Sequence, residues 1–149
     1  MADDHVLLRN ALASLIDSFD NSQVIFQAGT GKELTEAINR GIDPQVVVLD
    51  LNMPEMDGFE TAQWLQEHKP EILVLMLTMY DSELSLIRLL QAGVKGFLKK
   101  DIHPSELKFA IQSVVRNRYY YSNHTTGKLV SRFRQHSDGS SLIQRSVLN

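Results

Sequence analysis

The chain has 149 residues, 43% of them hydrophobic and 22% charged, which is ordinary usage for one globular domain and excludes a coiled coil, a collagen-like repeat or a wholly disordered chain. The absence of cysteine excludes a disulfide framework and thiolate zinc sites, and the apolar runs fall short of the roughly 18 residues a membrane span needs. Charge is uneven: residues 1–115 hold 9 Lys/Arg against 17 Asp/Glu and residues 116–149 hold 6 against 1, so a part of net charge −8 precedes one of +5. The acidic part repels nucleic acid and suits a cation-binding site, whereas the basic stretch reads as a solvated helix or linker. With no signal-peptide pattern at the start, a cytoplasmic protein without a membrane segment is expected.

Leu8, Leu12, Leu15, Ile16 and Phe19 recur at helical spacing and predict a first helix, followed by a short β-rich run over residues 24–28. Leu34, Ala37 and Ile38 mark a second helix that Arg40-Gly41 can close through a left-handed glycine. The run Gln45-Val46-Val47-Val48-Leu49-Asp50 is apolar on both faces, as a central strand of a parallel sheet must be. Residues 58–68 predict a third helix ending before Pro70, and residues 72–78 another wholly apolar strand. Ser82 can cap a fourth helix closed by Gly93, residues 96–98 allow a short strand, and Pro104 opens a fifth helix with Leu107, Ala110, Ile111 and Val114 inward and Asn117 as its left-handed cap.

Strands alternating with helices through short loops predict a doubly wound α/β domain with helices on both faces of a parallel sheet. In such sheets the site lies at the carboxyl ends of the strands. Here those ends carry Asp3, Asp4, Asp50, Thr78 and Lys100. An aspartate after a strand is commonly a turn former, Thr78 alone could be a plain strand residue and Lys100 a solvated lysine. Their joint occurrence at one edge changes the reading. Three crowded carboxylates repel one another, so a hard divalent cation with oxygen ligands, best Mg2+, is the natural occupant. A lysine and a hydroxyl beside it are the groups that hold phosphoryl oxygens.

Met1-Ala2-Asp3-Asp4-His5, the stretch from Asp50-Leu51-Asn52-Met53-Pro54 to Asp57-Gly58, Leu77-Thr78-Met79, and Gly96-Phe97-Leu98-Lys99-Lys100-Asp101 resemble the motifs of a response-regulator receiver domain of two-component signalling, closest to the NarL/LuxR-type transcription regulators. The resemblance covers about residues 1–122. It implies a flavodoxin-like, five-stranded parallel sheet of order 2-1-3-4-5, with a receiver domain over residues 1–117. It makes Asp50 the phosphoacceptor, Asp4 a direct Mg2+ ligand, Asp3 a ligand through water and the Asn52 main-chain carbonyl a further ligand. Lys100, rather than Lys99, is then the site lysine, and Thr78 with Phe97 the switch pair. The implied partner is a histidine kinase. The implied output is transcriptional, with DNA reached only through an output domain, homodimerisation on phosphorylation, and no enzymatic role beyond self-catalysed phosphotransfer and dephosphorylation.

Only Met1-Ala2 precede the acidic pair, so the first strand is expected to be cut short, with upstream residues before it. Residues 118–149 are too few for a helix-turn-helix domain and are expected to be a basic linker or extra helix leading toward one. Two further readings stand beside the main one. A stand-alone receiver or a pseudo-receiver interaction module would share the fold, although the intact set of Asp3, Asp4, Asp50, Thr78 and Lys100 argues against the latter. A haloacid-dehalogenase-type phosphatase would need a second acid two residues after the nucleophile, where Asn52 stands. The five histidines show no ligand spacing and no zinc site is expected. Trp64 and the Tyr119-Tyr120-Tyr121 run read as packing residues.

Overall fold

The computed structural model describes residues 1–78 and 83–120. Ser82, assigned above to a cap, and Met79 of the Leu77-Thr78-Met79 motif lie outside the described residues, as does almost all of the basic stretch.

Three strands form the regular sheet: β1 (Val46–Asp50), β2 (Leu73–Thr78) and β3 (Gly96–Lys99), parallel and in that order. Register pairs Asp50 with Leu77 and Thr78 with Lys99, so the polar strand ends meet at one edge. On the far side of β1 the sheet continues through single parallel bridges, Leu49 to Ala2 and Ala2 to Ala28. These place Met1-Ala2 in the middle position and residue 28 outside it, which is the predicted 2-1-3-4-5 order with two positions held by bridges instead of strands. Residues 24–27 are not a strand because the two residues beside them offer only a rung or two: Ala28 donates to Met1 O at 2.8 Å and Asp3 to Ala28 O at 3.0 Å.

The helices are α1 (Val6–Ser18), α2 (Gly31–Asn39), α3 (Gly58–His68), α4 (Glu83–Gln91) and α5 (Pro104–Asn117). Alternation along β2 divides the core. Val74 and Met76 face a cluster with Leu34, Ile38, Ala62, Leu65, Leu89 and Phe97 from the α2, α3 and α4 side. Leu73, Leu75 and Leu77 face Ala13, Ile16, Leu107, Ala110 and Val114 from α1 and α5. Every β2 residue is buried, and each fully buried leucine contributes about 1.5–3 kcal/mol. Among the described residues no helix is long and apolar enough to cross a membrane.

Helix ends follow local chemistry. Asp57 accepts from the Glu60 amide at 2.9 Å while Glu60 reaches back to the Asp57 amide, a capping box that starts α3 at Gly58. Glycine is required there, because a Cβ would stand 2.7 Å from Leu51 Cα, on backbone that cannot yield. The left-handed residue after α5 is Arg118 (φ 73°), not Asn117. The reason lies two residues on: the Tyr120 amide donates to Lys95 O at 2.8 Å and Tyr120 bridges Gly96, which sets where the chain must turn. Trp64 is half-buried and stacks on His68, centroids 4.4 Å apart.

A cavity of about 500 Å³ opens at the amino-terminal end of the sheet, lined by Met1, Ile16, Phe26, Val46, Val48 and Ile111 among others. It lies at the end opposite the strand-end carboxylates.

Candidate functional site

Asp50 ends a strand whose other residues are valine and leucine, and the backbone carries it into the protein: its amide donates to Ala2 O at 2.8 Å and it is 1% exposed. The same ladder sets Asp3 beside it, fully buried, just beyond the Ala2 bridge. Asp4 follows at the surface. Carboxylate oxygens of Asp3, Asp4 and Asp50 and the Nδ1 of His5 all lie within 4.8 Å of one another.

Lys100 is the cation that faces them. Its side chain is 6% exposed, and Nζ stands 3.0 Å from Asp50 Oδ1 and 3.6 Å from Asp3 Oδ2. Lys99, paired in register with Thr78, is exposed. The Asn52 amide donates to Asp50 Oδ1 at 3.3 Å, so the loop after β1 folds back over the carboxylate, with Met53 buried beneath it. Thr78 is buried at the end of β2, one residue past the partner of Asp50, and Phe97 is buried within β3, paired with Met76. The structure thus brings Asp3, Asp4, Asp50 and Lys100 into direct proximity, attaches Asn52 through its amide, and sets Thr78 and Phe97 on the adjoining strands.

Electrostatically the site is unbalanced. Burial pushes the Asp50 carboxyl up from 3.8 to about 6; the Lys100 hydrogen bond opposes this, the charge of Asp3 adds to it, and the charge of Lys100 and the Asn52 amide oppose it again. Asp50 Oδ2 and Asp3 Oδ2 are buried without a hydrogen-bond partner, a condition that costs free energy unless something else supplies positive charge. An arrangement of acidic oxygens, two of them orphaned, fits a hard divalent cation.

One residue of the cluster was not singled out by the sequence. His5 Nδ1 lies 3.1 Å from Asp3 Oδ1, 3.3 Å from Asp4 Oδ1 and 3.9 Å from Asp50 Oδ2. The available signal was its adjacency to the acidic pair; spacing to other histidines could not reveal it.

Residues 1–112 match the response regulator receiver domain family. The chain belongs to that family. This receiver domain is 30% identical over 99% of its length to the transcriptional regulatory protein MctR of Rhizobium johnstonii, of which it spans 69%. It is 31% identical over 89% of its length to the nitrate/nitrite response regulator protein NarP of Escherichia coli, of which it spans 61%. The crystal structure of a LuxR-family two-component response regulator from Aurantimonas sp. SI85-9A1 superposes on 88% of the receiver domain and 93% of that chain with a TM-score of 0.80 at 22% identity, a likeness of fold. The domain is therefore the receiver of a two-component response regulator, with relatives of the NarL/LuxR type.

Proposed function

We propose that this receiver accepts a phosphoryl group from a histidine kinase onto Asp50. The observation that carries the reading is the state of the Asp50 carboxylate: Lys100 and the Asn52 amide hold Oδ1, and Oδ2 keeps its lone pairs without a hydrogen-bond partner. Oδ2 is the atom that attacks phosphorus; the P–N bond of the phosphohistidine breaks as the O–P bond forms, and the imidazole leaves with its electron pair and takes a proton. Lys100, already aimed at this carboxylate, pairs with the phosphoryl oxygens. Asp4 directly, Asp3 through water, Asp50 and the Asn52 carbonyl would hold Mg2+, which when bound offsets the charge of the incoming phosphate. Thr78 and Phe97 act as the switch, the hydroxyl turning toward the new phosphoryl oxygens and the ring filling the space it leaves.

In this reading residues 1–117 form the receiver and residues 118–149 a basic linker toward a DNA-binding output domain, as in a cytoplasmic transcription regulator that dimerises when phosphorylated. The names of the relatives, a transcriptional regulatory protein and a nitrate/nitrite response regulator, support that output.

Labelling with radioactive acetyl phosphate and Mg2+ tests the assignment. Wild type is expected to take up label that EDTA abolishes, Thr78→Ala to retain it, and Asp50→Asn to lose it, because an amide forms no acyl phosphate. Wild-type labelling of Asp50→Asn would move the acceptor elsewhere.

A further inference from the structure

The geometry points to His5 as a nitrogen ligand of the acidic pocket, a selectivity-determining residue that strengthens the site for borderline transition ions such as Ni2+, Co2+ and Zn2+ while leaving its Mg2+ affinity nearly unchanged. The inference rests on the reading of this pocket as a divalent-cation site and adds to it a residue and an ion class.

The distances suit one ion. With metal–ligand bonds of about 2.1 Å, adjacent ligand atoms stand about 3.0 Å apart in an octahedron and about 3.4 Å in a tetrahedron, and opposed ones about 4.2 Å. His5 Nδ1 already stands 3.1 and 3.3 Å from oxygens of Asp3 and Asp4, and 3.9 Å from Asp50 Oδ2. Little movement is needed to close His5 Nδ1 and the Asp4 and Asp50 oxygens on a common centre, with Asp3 completing the shell through water. The second observation is independent of the histidine: Asp50 is 1% exposed, and its Oδ2, one of these four atoms, has no hydrogen-bond partner, while the orphaned Oδ2 of the fully buried Asp3 lies 3.6 Å from Lys100 Nζ. Two more constraints hold the ring in place. Its own amide donates to Asp3 Oδ1 at 2.9 Å, and Nδ1 is 3.3 Å from Lys100 Nζ. The ammonium is the group an incoming cation displaces from Nδ1, while its 3.0 Å contact to Asp50 Oδ1 does not involve the histidine. As a ligand, Nδ1 is unprotonated and the proton sits on Nε2, which water can serve because the side chain is 63% exposed.

An all-oxygen pocket suits Mg2+, Ca2+ or Mn2+, whereas imidazole favours later first-row ions along the Irving–Williams order. One nitrogen among three carboxylates therefore tilts selectivity toward those ions.

Equilibrium titration of the whole chain with Mg2+ and Ni2+, and the visible spectrum of its Co2+ form, test this in wild type, His5→Ala and His5→Gln. Ni2+ is expected to bind wild type roughly tenfold or more tightly than either variant, with Mg2+ binding changed less than about twofold. The Co2+ absorption bands should shift when the nitrogen is lost. Equal Ni2+ affinity and unchanged Co2+ bands in the variants would overturn the role of His5 while leaving the cation reading intact. If neither ion binds wild type, both readings fall; Ni2+ binding that needs His5, without any Mg2+ binding, would support His5 and overturn the Mg2+ assignment. Circular dichroism should show all three proteins folded, since His5 lies at the surface before α1.

Discussion

The two ends of the sheet divide volume from chemistry. At the amino-terminal end a cavity of about 500 Å³ is walled chiefly by aliphatic side chains. At the carboxyl end three carboxylates and a lysine crowd within contact distance. On the proposed function the phosphoryl donor is presented by another protein, so the site needs no enclosed pocket. What it needs is a rigid edge on which like charges are held closer than they would choose. The packed body of the sheet supplies that rigidity, and the edge draws on its stability.

The largest expected effect is in the body. Leu75, fully buried in the middle of β2, should cost about 3 kcal/mol on truncation to alanine, whereas Ile16→Ala, at the cavity wall, should cost less because part of its surroundings is already empty. Urea denaturation of both variants measures this, and equal costs would show that the amino-terminal end is as tightly packed as the centre.

At the carboxyl end the sign reverses. The Asp50 carboxyl is raised from 3.8 to about 6, so between these values the folded state binds more protons than the unfolded one. Without divalent cations stability therefore falls as pH rises through that window. Asp50→Asn should remove this dependence and raise stability at neutral pH by on the order of 1–2 kcal/mol, Lys100 having lost its partner but the buried charge being gone. Thermal melts in EDTA from pH 4 to 7 decide it; a flat wild-type profile would mean the edge carries no strain.

Smallest is the effect at the loop between body and edge. Asp57→Ala removes the capping box of α3 and should cost about 1 kcal/mol. If the loop over Asp50 depends on that helix start, amide exchange should also rise at Asn52; if exchange stays put, the loop is held from the sheet side alone.

Much of this arrangement was readable from residues. β1 and β2 announce themselves because they are apolar on both faces, and α3 begins and ends where Asp57, Gly58 and Pro70 require. Of the β-rich run over residues 24–28 only Ala28 pairs, since a strand is defined by its neighbour, and two residues make a short neighbour. Asn117 looked like the left-handed cap on intrinsic preference, but the anchoring of Tyr120 on Lys95 puts that conformation at Arg118. The acidic residues and Lys100 could be named because strand ends share an edge. His5 could not, since its ring finds oxygens 45 residues away only after β1 and the Met1-Ala2 segment lie side by side.

Tyr120 has a mechanical consequence. Its amide is tied to Lys95, its backbone bridges Gly96, and its hydroxyl donates to Glu106 Oε1 at 3.1 Å. Burial, then the neighbouring glutamate, pushes the phenol up to about 12, so this proton stays on and the fastening holds across the physiological range. The first turn of α5 and the start of β3 are thereby bolted together through Tyr120. A displacement along β3, whose next residue is Phe97, therefore meets at Tyr120 a residue held at three points.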